Sequence, residues 1–441
     1  MRTEHVGVVG YGRFGRLWAA FLREHFTVWI HDADPVDAPE HLPLPELCAR
    51  VEVLFLCVPI RRLEGLLAEL RPLLRPGTVI FDTCSVKTQP AAWLGALADA
   101  AEGLTLVASH PMFGPDSAAA SMEGLPIATW LLEGDREAYV AWQDFFAGNG
   151  LRVVELSPEE HDRLAAYSQG VTHYIGRVLN ELALESTPID THGFALLLAL
   201  IEQTCNDSWE LFHDLQVLNP YTAEMRLSLE AALDRVYAAL LPERVAPEAL
   251  VIGIQGGEGS FNEEAALWYL EAHREDYRAW RLEYLFTSAK VLEALHRGEI
   301  DLGVFAVQNA RGGVVMETIE ALCAYNCRII APFELAINHG ILYHPEAEFS
   351  AVDTLISHPQ ALAQCAGNLA RGYPQLKLVS GEGDMIDQAL CAKRLSEGVL
   401  PATTAVLAPP ICAEKYGLAV QAEMLQDLGD RNLTTFFWVA R

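Results

Sequence analysis

Short, nearly continuous apolar runs alternate with helical patterns over the first third of the chain. Parallel strands have such runs because both of their faces are buried, whereas the intervening segments repeat their apolar positions with the helical period. The pattern predicts a doubly wound α/β domain of the Rossmann type over residues 1–158. The predicted strands are Val6–Gly10, Thr27–His31, Val51–Val58, Thr78–Asp82 and Thr105–Ser109.

The pattern changes to long helical periodicity over residues 159–241, which predicts an all-helical domain. Its many apolar positions need a surface to pack on, either the first domain or a second subunit. Pro242–Pro247 is a predicted linker. A second α/β region follows over residues 250–441, with predicted strands at Leu250–Gln255, Leu302–Val307, Arg328–Ala331, Thr354–Ile356, Ala402–Leu407 and Phe436–Val439.

Charge and cysteine content narrow the range of partners. The net charge of −28 disfavours nucleic acid and anionic membranes, and it requires any anionic substrate to find a locally positive pocket. The apolar runs are too short to span a membrane, and we expect no secretory leader. Nine cysteines without CxxC or histidine-rich spacing indicate reduced thiols, a cytoplasmic protein and no metal site.

A dinucleotide-binding motif, Gly10-Tyr11-Gly12-Arg13-Phe14-Gly15, leaves the first predicted strand and opens a helix. Its glycines permit a tight turn, close approach of a pyrophosphate, and close packing of helix on strand. Asp32 lies 22 positions after Gly10. Its carboxylate suits ribose hydroxyls and repels a 2′-phosphate, so NAD is predicted rather than NADP. The predicted cofactor residues are Gly10, Gly12, Arg13, Phe14, Gly15 and Asp32; a purely structural glycine turn is the alternative.

The stretch Ser109–Asp116 places a histidine, His110, at the end of the fifth predicted strand. The ordinary pKa of histidine suits a general base beside a nicotinamide ring. The sequence therefore predicts proton removal coupled to hydride transfer.

The first 240 residues resemble the prephenate/arogenate dehydrogenases, through Asp82–Lys87, the run His110–Asp116, and His161-Asp162 followed by Gln169 and His173. The resemblance implies NAD-dependent oxidative decarboxylation of prephenate to 4-hydroxyphenylpyruvate in tyrosine biosynthesis. It also implies a homodimer formed through the helical domain. A bifunctional dehydrogenase/dehydratase, or an enzyme for arogenate or a related cyclohexadienol, is the alternative.

The same resemblance assigns roles to individual residues. His110 would take the proton of the ring hydroxyl, Ser85 would hydrogen-bond and orient His110, and His173 would reach the substrate from the helical domain. Lys87 would add positive charge near the substrate, and Gln169 would lie one helical turn before His173. A surface role for Lys87 and a core role for His173 are the alternatives. His161 is expected to have only a structural role at a helix start.

One departure from the family bears on the substrate. Prephenate-specific members bind a substrate carboxylate with an arginine of the helical domain, yet no arginine lies between Arg177 and Arg226. Either Arg177, Arg226, Arg61 or a partner subunit substitutes, or the substrate is arogenate, an amino-substituted relative or another cyclohexadienol.

Residues 250–441 resemble prephenate dehydratases, which have two α/β lobes and an active-site cleft between them. The resemblance rests on Gly256–Ala266, Val307–Ala310, Ser357–Gln360 and Asn432–Phe436, and it places Asn309, His358 and Thr434 in the cleft. Thr435 stands where the family has arginine, so we expect weak or no dehydratase activity. The alternatives are a regulator that senses an aromatic amino acid or prephenate, a residual dehydratase, and an altered lyase.

Overall fold

The structure is a computed structural model that describes residues 3–119 and 121–441, without the side chain of residue 384. The chain forms two compact units, one ending at Leu233 and the other beginning at Asp234. The sheet of the predicted Rossmann domain and most of the predicted helical domain thus lie in one unit. The boundary falls within a long helix rather than at the predicted linker.

The first unit is built on one sheet with the strand order β2-β1-β3-β4-β5-β6-β7. All neighbouring strands are parallel except β5 and β6. The predicted doubly wound α/β fold is confirmed, and β6 and β7 extend the sheet beyond the predicted strands. The strands are β1 His5–Val9, β2 Thr27–His31, β3 Val53–Leu56, β4 Val79–Asp82, β5 Thr105–Pro111, β6 Pro126–Glu133 and β7 Arg152–Glu155.

Helices cover both faces of this sheet, and aromatic side chains fill one of the cores. Trp18 contacts Phe55 and Phe146, and Trp142 packs edge-on against Phe81. The helices are α1 Arg13–Arg23, α2 Leu44–Arg50, α3 Ile60–Leu70, α4 Thr88–Gly95, α5 Arg136–Gly148, α6 Pro158–Ala165, α7 Val171–Glu181, α8 His192–Cys205, α9 Trp209–Val217 and α10 Thr222–Leu240. A π-helical stretch, Ala166–Gly170, joins α6 to α7.

The helical segment of the first unit leaves large apolar side chains exposed. Ile189 is 88% exposed, Leu196 58% and Leu227 68%. Exposed apolar surface of this kind is typical of a subunit interface. The homodimer stays a prediction, which the mass of the protein in solution would test.

The second unit contains two sheets, as expected for a two-lobed α/β domain. One has the order β12-β18-β10-β8-β9 with β11 paired to β10, and the other has the order β15-β14-β16-β13-β17. The strands are β8 Leu250–Ile254, β9 Trp280–Tyr284, β10 Leu302–Asn309, β11 Gly313–Val314, β12 Arg328–Ala336, β13 Gly340–Tyr343, β14 Thr354–Ser357, β15 Lys377–Ser380, β16 Thr404–Ala408, β17 Ala419–Ala422 and β18 Leu433–Ala440. The helices are α11 Phe261–Ala272, α12 Ser288–Arg297, α13 Met316–Ala324, α14 Pro359–Gly372, α15 Gln388–Ser396 and α16 Ile411–Tyr416.

Within the described residues, every helix is too short or too polar to cross a lipid bilayer.

Candidate active site

The glycine loop between β1 and α1 has the shape that a pyrophosphate requires. Gly10 has φ +94°, and a side chain on Gly15 would overlap the carbonyl oxygen of Gly10. Gly12 faces open space and is the N-cap of α1, where no side chain caps the helix. Free amides at a helix N-terminus attract anions, so the loop fits the diphosphate of a dinucleotide.

Asp32 lies immediately after β2 and next to this loop. Its Oδ2 accepts a hydrogen bond from the Tyr11 amide at 2.5 Å, and its Oδ1 accepts one from the Asp34 amide at 2.9 Å. This position beside the glycine loop is the one from which an acidic side chain reaches a ribose.

The side chain of Arg13 is half-exposed and points to Asp116. Its guanidinium donates to both carboxylate oxygens of Asp116, at 2.8 and 2.9 Å, and to the carbonyl of Asn206 at 3.2 Å. Phe14 stacks on Trp18 with the ring centroids 5.8 Å apart. The side chain of Arg13 therefore already has an anionic partner within the protein.

A cleft of about 870 Å³ lies in the first unit between the ends of the strands and the helical segment. The predicted site residues that line it are Gly12, Arg13, Phe14, Gly15, Ser85, His110, Gln169 and His173. The fold thus brings together residues that are far apart in the sequence.

His110 is buried at the end of β5 and is held by a hydrogen-bonded chain. Its Nδ1 lies 2.9 Å from Nε2 of His161, and Nδ1 of His161 lies 2.9 Å from Oδ1 of Asp162. The carboxylate of Asp162 can only accept, so His161 donates through Nδ1 and accepts at Nε2. His110 must then donate through Nδ1, which leaves its Nε2 as a bare acceptor. Among the described residues, Nε2 has no hydrogen-bond partner.

The surroundings of these hydrogen-bonded side chains favour a neutral His110 and an ionised Asp162. Burial, helped by the neighbouring His161 and Lys87, lowers the pKa of His110 well below its usual value. Burial opposes ionisation of Asp162, but hydrogen bonds from His161 and from the amides of Lys87 and Thr88 outweigh it and lower the pKa of that carboxyl. His110 is therefore a neutral base throughout the physiological range.

The predicted orienting role of Ser85 is not what the structure shows. The Oγ of Ser85 is buried in the cleft wall and has no hydrogen-bond partner among the described residues. His161, expected to be only structural, orients His110 instead. Ser85 remains a lining residue whose hydroxyl is free for a ligand.

Lys87 does not line the cleft, and its ammonium is engaged within the protein. Lys87 is 2% exposed; its ammonium forms an ion pair with Asp82 and donates to the carbonyl of Ser109 at 2.5 Å. A buried ammonium needs these partners, so its charge stabilises the ends of β4 and β5. Lys87 contributes to the site through its backbone amide, which donates to Asp162 at 2.7 Å.

Gln169 and His173 enter the cleft from the helical segment. Gln169 lies in the π-helical stretch, an irregularity that often marks functional sites, and its buried Oε1 has no partner among the described residues. Nδ1 of His173 lies 3.9 Å from Oδ2 of Asp207. Burial outweighs this carboxylate and lowers the pKa of His173. Both side chains can therefore hydrogen-bond a neutral or polar part of a substrate.

The arginines proposed as carboxylate clamps are all engaged elsewhere. Arg177 donates to the carbonyl of Asp207 at 2.5 Å, and Arg226 donates to the carbonyl and side-chain oxygens of Gln216. Arg61 is paired with Asp214 at 2.5 Å. None of these three arginines lines the cleft.

Acidic side chains dominate the charged lining of the cleft. They are Asp116, Asp207, Glu210 and Asp214, and Arg13 is the accompanying arginine among the described lining residues. Asp116 is paired with Arg13, and Glu210 and Asp214 are paired with Arg61, so these charges are partly balanced. The carboxylates that remain in excess favour an ammonium group over a further anionic group.

The second unit has a cleft of its own, of about 770 Å³, lined by Asn309, His358 and Thr434 as predicted. Nδ2 of Asn309 donates to Oγ1 of Thr434 at 2.9 Å, so the Thr434 hydroxyl can donate its own hydrogen to a ligand. His358 caps α14 and accepts from the Gln360 amide at 3.0 Å.

Comparison with known proteins finds different families for the two parts of the chain. Family models match at residues 43–133 (prephenate dehydrogenase, nucleotide-binding domain), 178–247 (TYRAAT1-like, C-terminal domain) and 252–441 (prephenate dehydratase). Arogenate dehydrogenase 2, chloroplastic, of Arabidopsis thaliana is 34% identical over 246 residues, which cover 52% of this chain and 68% of that protein.

Two further relatives extend the comparison. The 4-amino-4-deoxyprephenate dehydrogenase of Streptomyces pristinaespiralis is 33% identical over 255 residues, covering 53% of this chain and 84% of that protein. The solved structure of prephenate dehydrogenase from A. aeolicus in complex with hydroxyphenyl propionate and NAD+ is 18% identical, with a TM-score of 0.43, and covers 63% of this chain and 98% of that chain. The chain belongs to the prephenate/arogenate dehydrogenase family and carries a prephenate dehydratase domain in its C-terminal half.

Proposed function

We propose that the first unit catalyses the NAD-dependent oxidative decarboxylation of a cyclohexadienol and prefers arogenate to prephenate. The observation that carries this proposal is the buried chain Asp162–His161–His110, which leaves a bare acceptor nitrogen in an acid-lined cleft.

The chain of histidines supplies the proton acceptor. His110 Nε2 takes the proton of the ring hydroxyl while the carbon that bears the hydroxyl loses its hydride, and a ketone forms. The ring carboxylate then leaves as carbon dioxide, and the electron pair of the broken bond completes the aromatic ring. The phenol oxygen takes back a proton from His110. Asp162 stabilises the transient positive charge through His161.

The glycine loop and Asp32 would hold the dinucleotide, with the pyrophosphate at Gly12 and the adenosine ribose at the Asp32 carboxylate. When bound, NAD+ would supply the hydride acceptor. The open space beside Gly12, and the Asp32 carboxylate held beside the glycine loop by the Tyr11 amide, support this assignment.

The lining of the cleft supports arogenate as the preferred substrate. Arogenate and prephenate share the ring carboxylate, but arogenate carries an ammonium group where prephenate carries a keto group. Both compounds also carry a side-chain carboxylate, so the lack of a free arginine among the described lining residues affects both equally. The carboxylates around the cleft favour the ammonium group, which only arogenate has.

Turnover of the two substrates tests this preference. We expect kcat/KM with arogenate to exceed that with prephenate by about tenfold or more, measured as NADH formation by the full-length protein. Equal or higher kcat/KM with prephenate would contradict the substrate assignment while leaving the reaction type intact. Absence of NADH formation with both compounds would contradict the reaction itself.

Replacement of Asp32 by serine tests the cofactor assignment. We expect the ratio of kcat/KM for NAD+ to that for NADP+ to fall about tenfold, because the carboxylate no longer repels the 2′-phosphate. Asp34→Ser, a change of the same charge two residues later on an exposed side chain, is the matched control. An unchanged ratio in Asp32→Ser would show that Asp32 does not face the ribose.

A dehydratase reaction in the second unit is the second candidate function, favoured by the Asn309–Thr434 hydrogen bond. We expect Thr434→Ala to remove whatever phenylalanine or phenylpyruvate the protein forms, because the hydroxyl that protonates the leaving group is gone. NADH formation is expected to be unchanged. Thr435→Ala is the matched control, since that hydroxyl hydrogen-bonds Glu334 on β12. Product formation that survives in Thr434→Ala would exclude this role.

A further inference from the structure

The π-helical stretch Ala166–Gly170 changes the direction in which the side chains of α7 point. The amide of Val171 donates to the carbonyl of Ala166, five residues back instead of the four of an α-helix. The π turn therefore contains one residue more than the α-helical turn it replaces. Residues after it are rotated about the helix axis by about 100° relative to their positions in an uninterrupted α-helix.

This rotation decides where His173 points relative to His161, which lies 12 positions earlier in α6. In an uninterrupted α-helix the two side chains would lie about 120° apart around the axis. With one residue absorbed by the π turn, the difference falls to about 20°. His161 can therefore contact His110 at 2.9 Å while His173 lines the cleft into which His110 faces.

Gln216, at the end of α9, holds the π-helical stretch from one side. Its side chain is buried, and its Nε2 donates to the carbonyl of Gly170 at 2.8 Å. On the other side Gly170 packs closely on α10, since an added Cβ would come within 3.3 Å of Cγ2 of Thr222. π turns are rare, and an irregular backbone persists where the surrounding structure fixes it. These two contacts fix the end of the stretch.

Arg226 fixes the orientation of the Gln216 amide. It donates to Oε1 of Gln216 at 3.0 Å and to the backbone carbonyl of the same residue at 2.8 Å. An arginine can only donate and a carbonyl can only accept, so Oε1 must face Arg226 and Nε2 must face Gly170. Arg226 therefore acts on the stretch through Gln216, although it does not line the cleft.

We propose that Gln216 and Arg226 are positioning residues, which hold the π-helical stretch and so keep Gln169 and His173 turned into the cleft of the first unit. Without the Gln216 amide the stretch relaxes toward an uninterrupted α-helix, and α7 turns His173 away from the cleft. The readout by turnover rests on the dehydrogenase reaction proposed above, whereas the readout by hydrogen exchange does not.

Hydrogen exchange of the full-length protein tests the hold on the stretch without any substrate. Gln216→Met keeps the length of the side chain but removes its donor and its acceptor. We expect the amides of residues 166–171 to exchange about tenfold faster or more in this variant, because a buried hydrogen bond is lost. The amides of β1 and α1 are expected to exchange as in the unmodified protein. Unchanged exchange over residues 166–171 would overturn the proposal.

Turnover tests whether the stretch positions groups that bind the substrate. We expect Gln216→Met to raise KM for the better of the two substrates about tenfold or more, with a smaller fall in kcat and unchanged affinity for NAD+. A loss of folded protein would instead lower the apparent kcat and leave KM unchanged, and that result would overturn the proposal. If the unmodified protein forms no NADH, the dehydrogenase reaction is contradicted and the exchange measurement decides this proposal alone.

Two substitutions of Arg226 give an independent test. Arg226→Lys keeps a donor for one of the two oxygens of Gln216, whereas Arg226→Met keeps none. We expect Arg226→Met to raise KM and to quicken exchange nearly as much as Gln216→Met, and Arg226→Lys to do so less. Arg235→Met removes an exposed arginine from the same helix and is the matched control. Normal KM and normal exchange in Arg226→Met would overturn the proposal.

Discussion

Replacement of His110 by alanine is expected to lower kcat by about three orders of magnitude, with the affinity for NAD+ nearly unchanged. The magnitude is that of a lost general base, and His110 lies at the end of β5, whereas the dinucleotide motif lies at the start of α1. Single-turnover measurement of NADH formation gives the rate, and titration of cofactor fluorescence gives the affinity.

His192→Ala, which removes an exposed histidine of α8, is the matched control for this experiment. The pH profile of the unmodified enzyme adds a second readout. Because burial lowers the pKa of His110, the neutral base persists as the pH falls, and the acid-side loss of kcat is expected below the usual histidine range near 6.5. A His110→Ala variant with kcat within tenfold of the unmodified enzyme would exclude His110 as the base.

The sheets were largely predictable because buried parallel strands carry uninterrupted apolar runs. β1 to β5 lie where the runs predict them, within a few residues. β7 was missed because it is short and half-exposed, with charged residues at both ends. β9 and β15 were missed for the same reason, since their side chains are mostly exposed or half-buried. Their pairing is decided by neighbouring strands rather than by their own composition.

Some parts of the candidate site follow from neighbouring residues in the sequence, whereas others depend on contacts between distant residues. The glycine loop is a contiguous motif, so its shape follows from its own residues. The partner of His110 lies 51 positions away, and only the packing of α6 against β5 brings the two rings together. The adjacent pair His161-Asp162 is the sequence feature that indicates this arrangement, because a carboxylate next to a histidine can fix the tautomer of the imidazole ring.

Lys87 shows that a lysine close to a predicted site can be paired within the protein itself. Asp82 precedes it by five positions, and the two flank a sharp turn after β4. A lysine near a predicted site suggests a substrate contact, yet a carboxylate at the end of a buried strand needs a cation more strongly than an external ligand does.

Replacement of Asp162 by asparagine is expected to lower kcat about a hundredfold or more with a much smaller change in KM. Oδ1 of Asp162 accepts from the amide of Lys87 and from His161, and Oδ2 accepts from the amide of Thr88. In either orientation an asparagine amide group must face one of these donors. The variant therefore loses both the negative charge and a fixed tautomer for His161, and through it the acceptor state of His110 Nε2.

Glu160→Gln is the matched control for Asp162→Asn, since it removes an exposed carboxylate from the first turn of the same helix. If Asp162 had only a structural role, Asp162→Asn would lower the thermal stability of the protein, and kcat would not fall more than KM changes. We expect instead that kcat falls in the folded variant and that its acid limb shifts, because the imidazolium formed during turnover has lost its counterion. An Asp162→Asn enzyme with normal kcat and an unchanged pH profile would show that His110 works without the chain behind it.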